Sequence, residues 1–149
     1  YGCSYAFGED GTPVWPARVI NYSTKIQCLS KINKGLGKLD DKLVNEYMED
    51  EKRRIPFSRI IYFGDGMTDI PSMKLVKTRG GNAIAVYKPK STHKEKAVKL
   101  LKDKRVNFAL PADYSEGTSL DHVVKTILEK LSTERNLEIL KNAEKKKLK

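Results

Sequence analysis

Long hydrophobic runs are missing from this sequence: the longest are Ile60-Ile61-Tyr62-Phe63 and Ala83-Ile84-Ala85-Val86-Tyr87. Neither approaches the roughly 20 apolar residues that a membrane-spanning helix needs, so no membrane partner is expected. Cysteine is scarce as well. Cys3 and Cys28 have neither metal-ligand spacing nor the density of a disulfide scaffold, and two free thiols point to a reducing compartment. No charged-then-apolar signal segment opens the chain. Together these absences point to the cytoplasm. A chain that begins at Tyr1 rather than at methionine is expected to be a fragment or a processed product.

What is present suits one globular domain. The 149 residues are 39% hydrophobic and 32% charged, a balance that builds a core rather than a disordered tail. The formal net charge of +10 invites a polyanion partner. From Thr133 to Lys149, however, six Lys or Arg stand against three Glu, and the rest of the excess is scattered without an Arg-rich stripe or interleaved aromatics. Solvated lysine faces account for such a pattern, and nucleic acid is disfavoured.

Along the chain, 5–18 reads as a β-hairpin turning at Gly8-Glu9-Asp10-Gly11. Thr24-Lys25-Ile26-Gln27 fits a capping box, and Ile26, Leu29 and Ile32 recur at helical spacing until Gly35 and Gly37. A polar helix is expected from Lys42 to Met48, broken by Ile55-Pro56. Ile60 to Phe63 reads as a strand buried on both faces, followed by the tight loop Gly64 to Asp69 and a helix from Ile70 to Lys77. A second strand from Asn82 to Tyr87 leads to a helix from Thr92 to Asp103, opened by Thr92-x-x-Glu95, and a third strand runs from Val106 to Leu110. Leu120, Val123, Val124, Ile127, Leu128 and Leu131 form one stripe on a helix from Ser119 to Leu131. The lysine-rich remainder, 132–149, is expected to be a frayed helix or tail that Leu137 and Leu140 dock. Alternating strands and helices predict an α/β fold, a parallel sheet with helices on both faces, with its chemistry at the carboxyl ends of the strands.

Two places carry candidate chemistry. Asp65 and Asp69 lie four apart in a glycine-flanked loop behind a strand, where both carboxylates can face one site. Such oxygen ligands suit Mg²⁺, which takes one or two protein carboxylates with phosphate and waters. Spacing alone leaves the plainer assignment equally open, with Asp69 capping the next helix and Asp65 a turn residue. Asp69 also argues against a dinucleotide loop, because it would repel a pyrophosphate, and no G-x-x-x-x-G-K-[ST] loop exists. Lys25 sits in a helical first turn, where the helix dipole disfavours a cation unless an anion is nearby. Taken singly, it reads better as a surface lysine. His93 and His122 stand alone and receive no role.

Taken together, these residues resemble a known pattern. The run from Ile60 to Asp69, a hydrophobic strand followed by G-D-G-x-x-D, resembles the fourth motif of the haloacid dehalogenase superfamily. Asn82 to Val86 resembles the strand that follows it. Tyr22-Ser23-Thr24-Lys25 is similar to the third-motif lysine that opens a helix some way upstream. The resemblance covers most of 17–131 and is nearest to the phosphoserine-phosphatase-like branch. It implies a three-layer, Rossmann-like core and an Mg²⁺-dependent phosphatase acting on a small phosphorylated metabolite. In such enzymes the first aspartate of a D-x-D-x-T motif forms an aspartyl-phosphate and the second is the general acid and base. By that implication Asp65 is a metal ligand, Asp69 reaches the metal through water or orients Lys25, and Lys25 stabilises the nucleophile and the phosphoryl group.

The departure is equally plain. No D-x-D-x-T occurs here, Asp10 and Asp40-Asp41 stand in the wrong context, and the second-motif Ser or Thr has no clear counterpart. The implied first strand and substrate-selecting cap would precede Tyr1. Residues 1–131 are therefore expected to be the C-terminal part of a core domain, incomplete and inactive without a missing N-terminal segment. Two alternatives stand beside this enzyme: a basic α/β module that binds nucleic acid or another polyanion, and a non-catalytic remnant of the phosphatase fold.

Overall fold

The computed structural model describes residues 1–37, 42–89 and 93–147. Strands β1 (Ser4–Phe7) and β2 (Pro13–Arg18) pair antiparallel as the expected hairpin. Its turn closes through Gly8 N–H to Thr12 O and Gly11 N–H to Gly8 O, with Gly11 at φ 76°, a conformation glycine adopts without penalty. Helix α1 (Tyr22–Lys34) follows. Its capping box differs from the expected one: Asn21 is the cap, accepting from Ser23 and Thr24 N–H, while Thr24 Oγ1 accepts from Asn21 N–H. Thr24 thus closes the box, at its N3 position, rather than opening it.

The polar helix expected from Lys42 to Met48 is a 3-10 turn over Lys42–Asn45 only. The physical reason lies in Lys34, whose Nζ donates to the carbonyls of Leu43, Val44 and Glu46. Two of these, Leu43 and Val44, are carbonyls that an α-helix over this segment would use internally, and they are bound from outside instead.

Beyond this segment come β3 (Ile61–Gly64), α2 (Ile70–Thr78), β4 (Asn82–Tyr87), α3 (His93–Lys102), β5 (Phe108–Pro111) and α4 (Ser119–Lys147). The three strands form a parallel sheet in the order β3-β4-β5, with Ile61 opposite Asn82 and Ile84 opposite Phe108. Strand alternation sorts the core into two faces. Ala83 and Ala85 of β4 pack with Met73 of α2 and Ala97 of α3. Ile84 and Val86 pack with Leu120 and Ile127 of α4. Helices therefore cover both faces of a short parallel sheet, as the sequence predicts, and α1 packs against α2.

Three expectations need correction. β3 is only partly buried: Ile61 and Tyr62 pack against the clusters on opposite faces of the sheet but stay half-buried, Phe63 is 39% exposed, and among the described residues the strand pairs with β4 alone. α4 does not end at Leu131 but continues unbroken to Lys147, so the lysine-rich segment is an extension of the same helix. Leu137 and Leu140 do not dock it; both are exposed, as is Leu128 from the predicted stripe. Asp40-Asp41 and the Thr92 cap lie outside the described residues. Among the described residues no helix is long and apolar enough to cross a membrane, and Cys3 and Cys28 are free.

Candidate functional site

β3 delivers its chain to the carboxyl edge of the sheet and stops at Gly64. A side chain there is excluded, because a Cβ at Gly64 would overlap Met73 Cε and stand 2.6 Å from Asp69 Cβ. The loop then turns through Asp65 and Gly66 into a 3-10 turn at Met67–Asp69, which runs directly into α2. This tight return brings Asp69 back over the strand end it has just left.

Asp69 stands at the N-cap of α2 but does not cap it. Its backbone is helical, and its carboxylate makes no bond to the first-turn amides. Instead, Lys25 Nζ lies 2.7 Å from Asp69 Oδ1, and Tyr62 Oη donates to the same oxygen at 2.6 Å. Lys25 comes from α1, forty-four positions away, and also reaches Thr68 Oγ1 at 3.4 Å. Asp69 is buried and the Lys25 side chain is 27% exposed. Burial alone would raise the Asp69 carboxyl, but the hydrogen bonds from Lys25 and Tyr62 and the Lys25 charge outweigh it and hold it below the usual carboxylate range. Burial, with the Asp69 carboxylate adding to it, drives the Tyr62 phenol above its ordinary range. The hydroxyl thus keeps its proton and donates.

Asp65 is exposed and makes no hydrogen bond or ion pair among the described residues. With Lys25 and Asp69 it lines an open cleft of about 500 Å³ whose other walls include Phe63, Tyr87 and Tyr114. The strand ends of β3 and β4 and the chain just past β5 thus meet where parallel α/β sheets hold their ligands. All three sequence candidates share this cleft. Its chemistry is one ammonium held on a buried carboxylate beside a second carboxylate open to solvent, a pairing able to hold an anion and a hard cation together.

His93 sits on the other side of the loop, where it and Lys96 line a smaller cavity of about 200 Å³ with Asp65 and Met67. A cavity of about 520 Å³ between α1 and the 42–58 segment holds Lys34 and Arg53. Their donors are taken there by the carbonyls of Val44 and Met48 and by Asn33 Oδ1, so those cations tie chain segments together. Tyr62 was not singled out by the sequence, since a tyrosine inside an apolar run reads as core. Alternation does put its side chain on the opposite face from Ile61 and Phe63, and a buried phenol needs a partner for its hydroxyl.

No family profile matches the chain, and no solved structure matches it. A protein of Borreliella burgdorferi, described as an uncharacterized protein, is 30% identical to it over 104 residues. That alignment takes in 68% of this chain and 34% of the relative, so the chain spans about a third of the length of the curated relative it matches.

Proposed function

We propose that this chain carries the lysine and carboxylate part of a haloacid-dehalogenase-type phosphomonoester hydrolase, in which Lys25 holds the phosphoryl oxygens and Asp69 holds Lys25. The observation that carries this reading is the 2.7 Å contact between Lys25 Nζ and Asp69 Oδ1 at the carboxyl edge of a parallel sheet. A capping aspartate and a solvated lysine would have no need to meet across α1 and α2. Their pairing keeps an ammonium in a fixed place in the cleft, where charge on a transferring phosphoryl group builds up.

The donor set fits Mg²⁺. Among the described residues no group of three or more His, Cys, Asp or Glu gathers, which disfavours an all-protein cage. Asp65, an unpaired carboxylate in the same cleft, suits an ion that takes one or two protein carboxylates and completes its shell with phosphate and water. Asp69 Oδ1 is already engaged by two donors, so Asp65 is the principal ligand and Asp69 mainly orients Lys25. Bound Mg²⁺ would offset the charge on the phosphoryl oxygens.

The nucleophile is absent from these 149 residues, which contain no D-x-D-x-T. On this reading it arrives on a further strand that pairs with the open edge of β3, covering the exposed Phe63. A carboxylate oxygen of that strand attacks phosphorus and the alkoxide leaves with a proton from a neighbouring acid. Water then attacks the acyl phosphate to release inorganic phosphate and restore the carboxylate. The substrate is a small phosphorylated metabolite.

The test is phosphate release from p-nitrophenyl phosphate by the natural gene product containing these residues, with and without Mg²⁺. Mg²⁺-dependent turnover that falls about 100-fold or more in Lys25→Ala and in Asp65→Asn supports the reading. Turnover untouched by either substitution, or none at all, sinks it. A salt-sensitive association with RNA or DNA in the inactive case would favour the polyanion-binding alternative.

A further inference from the structure

We propose that the hydroxyl of Tyr62 is a positioning group: it fixes the Asp69 oxygen that carries Lys25, and so sets where the ammonium stands in the cleft. This rests on the phosphohydrolase reading and adds to it a residue outside the glycine-aspartate loop and the lysine turn.

The geometry is specific. Three segments converge on one atom, Asp69 Oδ1: α1 through Lys25 Nζ at 2.7 Å, β3 through Tyr62 Oη at 2.6 Å, and the 3-10 turn that bears the carboxylate itself. Of the two donors, only Tyr62 is rigidly mounted. Its backbone is in the sheet ladder opposite Ala83, and its ring packs against the cluster of Met73, Ala83, Ala85, Ala97 and Val106. Lys25 reaches the carboxylate on a flexible four-carbon stem that is partly exposed. A lysine alone follows the carboxylate; it does not fix it. The tyrosine does, because its ring has two torsions and the core locks both.

The packing role and the hydroxyl role are separable. Phenylalanine fills the same space in the cluster and suits the same strand, so the core does not require an oxygen at position 62. That oxygen donates to Asp69 Oδ1 at 2.6 Å. Nearby Ser72 is fully buried and its Oγ has no partner in hydrogen-bonding geometry, so Tyr62→Phe is also made with Ser72→Ala to remove the one neighbouring hydroxyl that could stand in for the phenol. Without the phenol, Asp69 would turn with the lysine, and the ammonium would sample positions away from the phosphoryl oxygens.

Tyr62→Phe is measured alone and in a Lys25→Met background, with p-nitrophenyl phosphate as substrate, Mg²⁺ present and the melting temperature followed in parallel. The expected result is a fall in kcat of roughly 10- to 100-fold in the native background, the range seen when a group orienting a functional ligand is removed. In the Lys25→Met background the same change should have little further effect, because its target is gone. A loss of folded protein would lower both backgrounds by the same factor, so equal losses overturn the inference, as does an unchanged kcat in Tyr62→Phe. If the unsubstituted protein has no Mg²⁺-dependent turnover, or Lys25→Met leaves it intact, the phosphohydrolase reading fails and this inference fails with it.

Discussion

Gly64 and Asp69 stand so close that one atom more on the glycine would collide with the aspartate: a Cβ there would lie 2.6 Å from Asp69 Cβ and 3.0 Å from its Cγ. The strand end and the carboxylate above it are therefore packed as one unit, and the loop between them has no slack. Gly64→Ala is expected to push Asp69 outward and away from Tyr62 while crowding Met73. Overpacking of this kind costs about 1–3 kcal/mol. A urea midpoint that falls accordingly, with Lys25→Met causing a smaller fall than in the parent, would show both effects. An unchanged midpoint would show that the loop yields easily and that the close approach has no cost.

The Asp69 carboxyl also gives the fold a signature at acid pH. Desolvation raises it, but the Lys25 and Tyr62 hydrogen bonds and the Lys25 charge hold it below its ordinary value. A carboxylate depressed on folding contributes stability that is present above its unfolded pKa, near 4, and is lost as pH falls through the folded value. Asp10, Asp113 and Asp121 are depressed as well, by local hydrogen bonds on the surface, so the whole protein loses stability in acid for several reasons. The part due to Asp69 is the difference between the native chain and Lys25→Met. Without the ammonium, desolvation regains weight and the acid loss is expected to shrink. Urea midpoints taken between pH 2.5 and 6 on both proteins measure it, and parallel curves would remove Lys25 as the cause.

How much of this was legible in the sequence follows from where each signal lives. The β3-to-α2 passage was read from Gly64 and Gly66 around Asp65 and from the apolar run before them, because those are local and their geometry is confirmed by contacts within ten residues. The meeting of Lys25 with Asp69 was expected only through the family resemblance; position 25 alone reads as surface. The capping box was misplaced by three residues because Asn21 and Thr24 are both competent caps, and the structure uses the earlier one. The Lys42–Met48 helix failed for a tertiary reason, the distant Lys34 amine occupying its carbonyls. Periodicity carries no information about such a bond. Only half of the Tyr62 role is legible: alternation separates its side chain from Ile61 and Phe63, but the partner of its hydroxyl is set by how the loop folds back.

Asn33 is the polar residue that ties α1 to the segment leading into β3. It is fully buried, donates from Nδ2 to Ile55 O at 2.8 Å, and accepts from Arg53 Nη1 at 2.5 Å, while Arg53 Nη2 donates to Met48 O. Asn33→Leu removes both bonds and leaves the Ile55 carbonyl without that donor and the guanidinium without that acceptor. Each such group costs about 1–3 kcal/mol when it stays buried. The expected outcome is a clear drop in stability with faster amide exchange concentrated in 46–59, and normal exchange in β4 and β5. Uniformly faster exchange would mean that the segment opens only with the whole fold.

The second half of α4 is held by little. Past Leu131 its apolar residues Leu137, Ile139 and Leu140 are exposed, and its described link to the body is the Arg59–Glu138 ion pair at 2.6 Å. Both partners are substantially exposed, and ion pairs of that kind contribute about 0–1 kcal/mol. The core-facing work of the helix is finished by Leu120, Val123, Val124, Ile127 and Leu131. Truncation after Ser132 is therefore expected to change the urea midpoint by no more than that small amount, and to leave the cleft at Lys25 and Asp69 unaffected. Arg59→Ala should have the same small effect, and the two changes should not add, since each removes the same bond. A large loss on truncation with none for Arg59→Ala would mean that 133–147 stabilises the protein through a surface other than this ion pair.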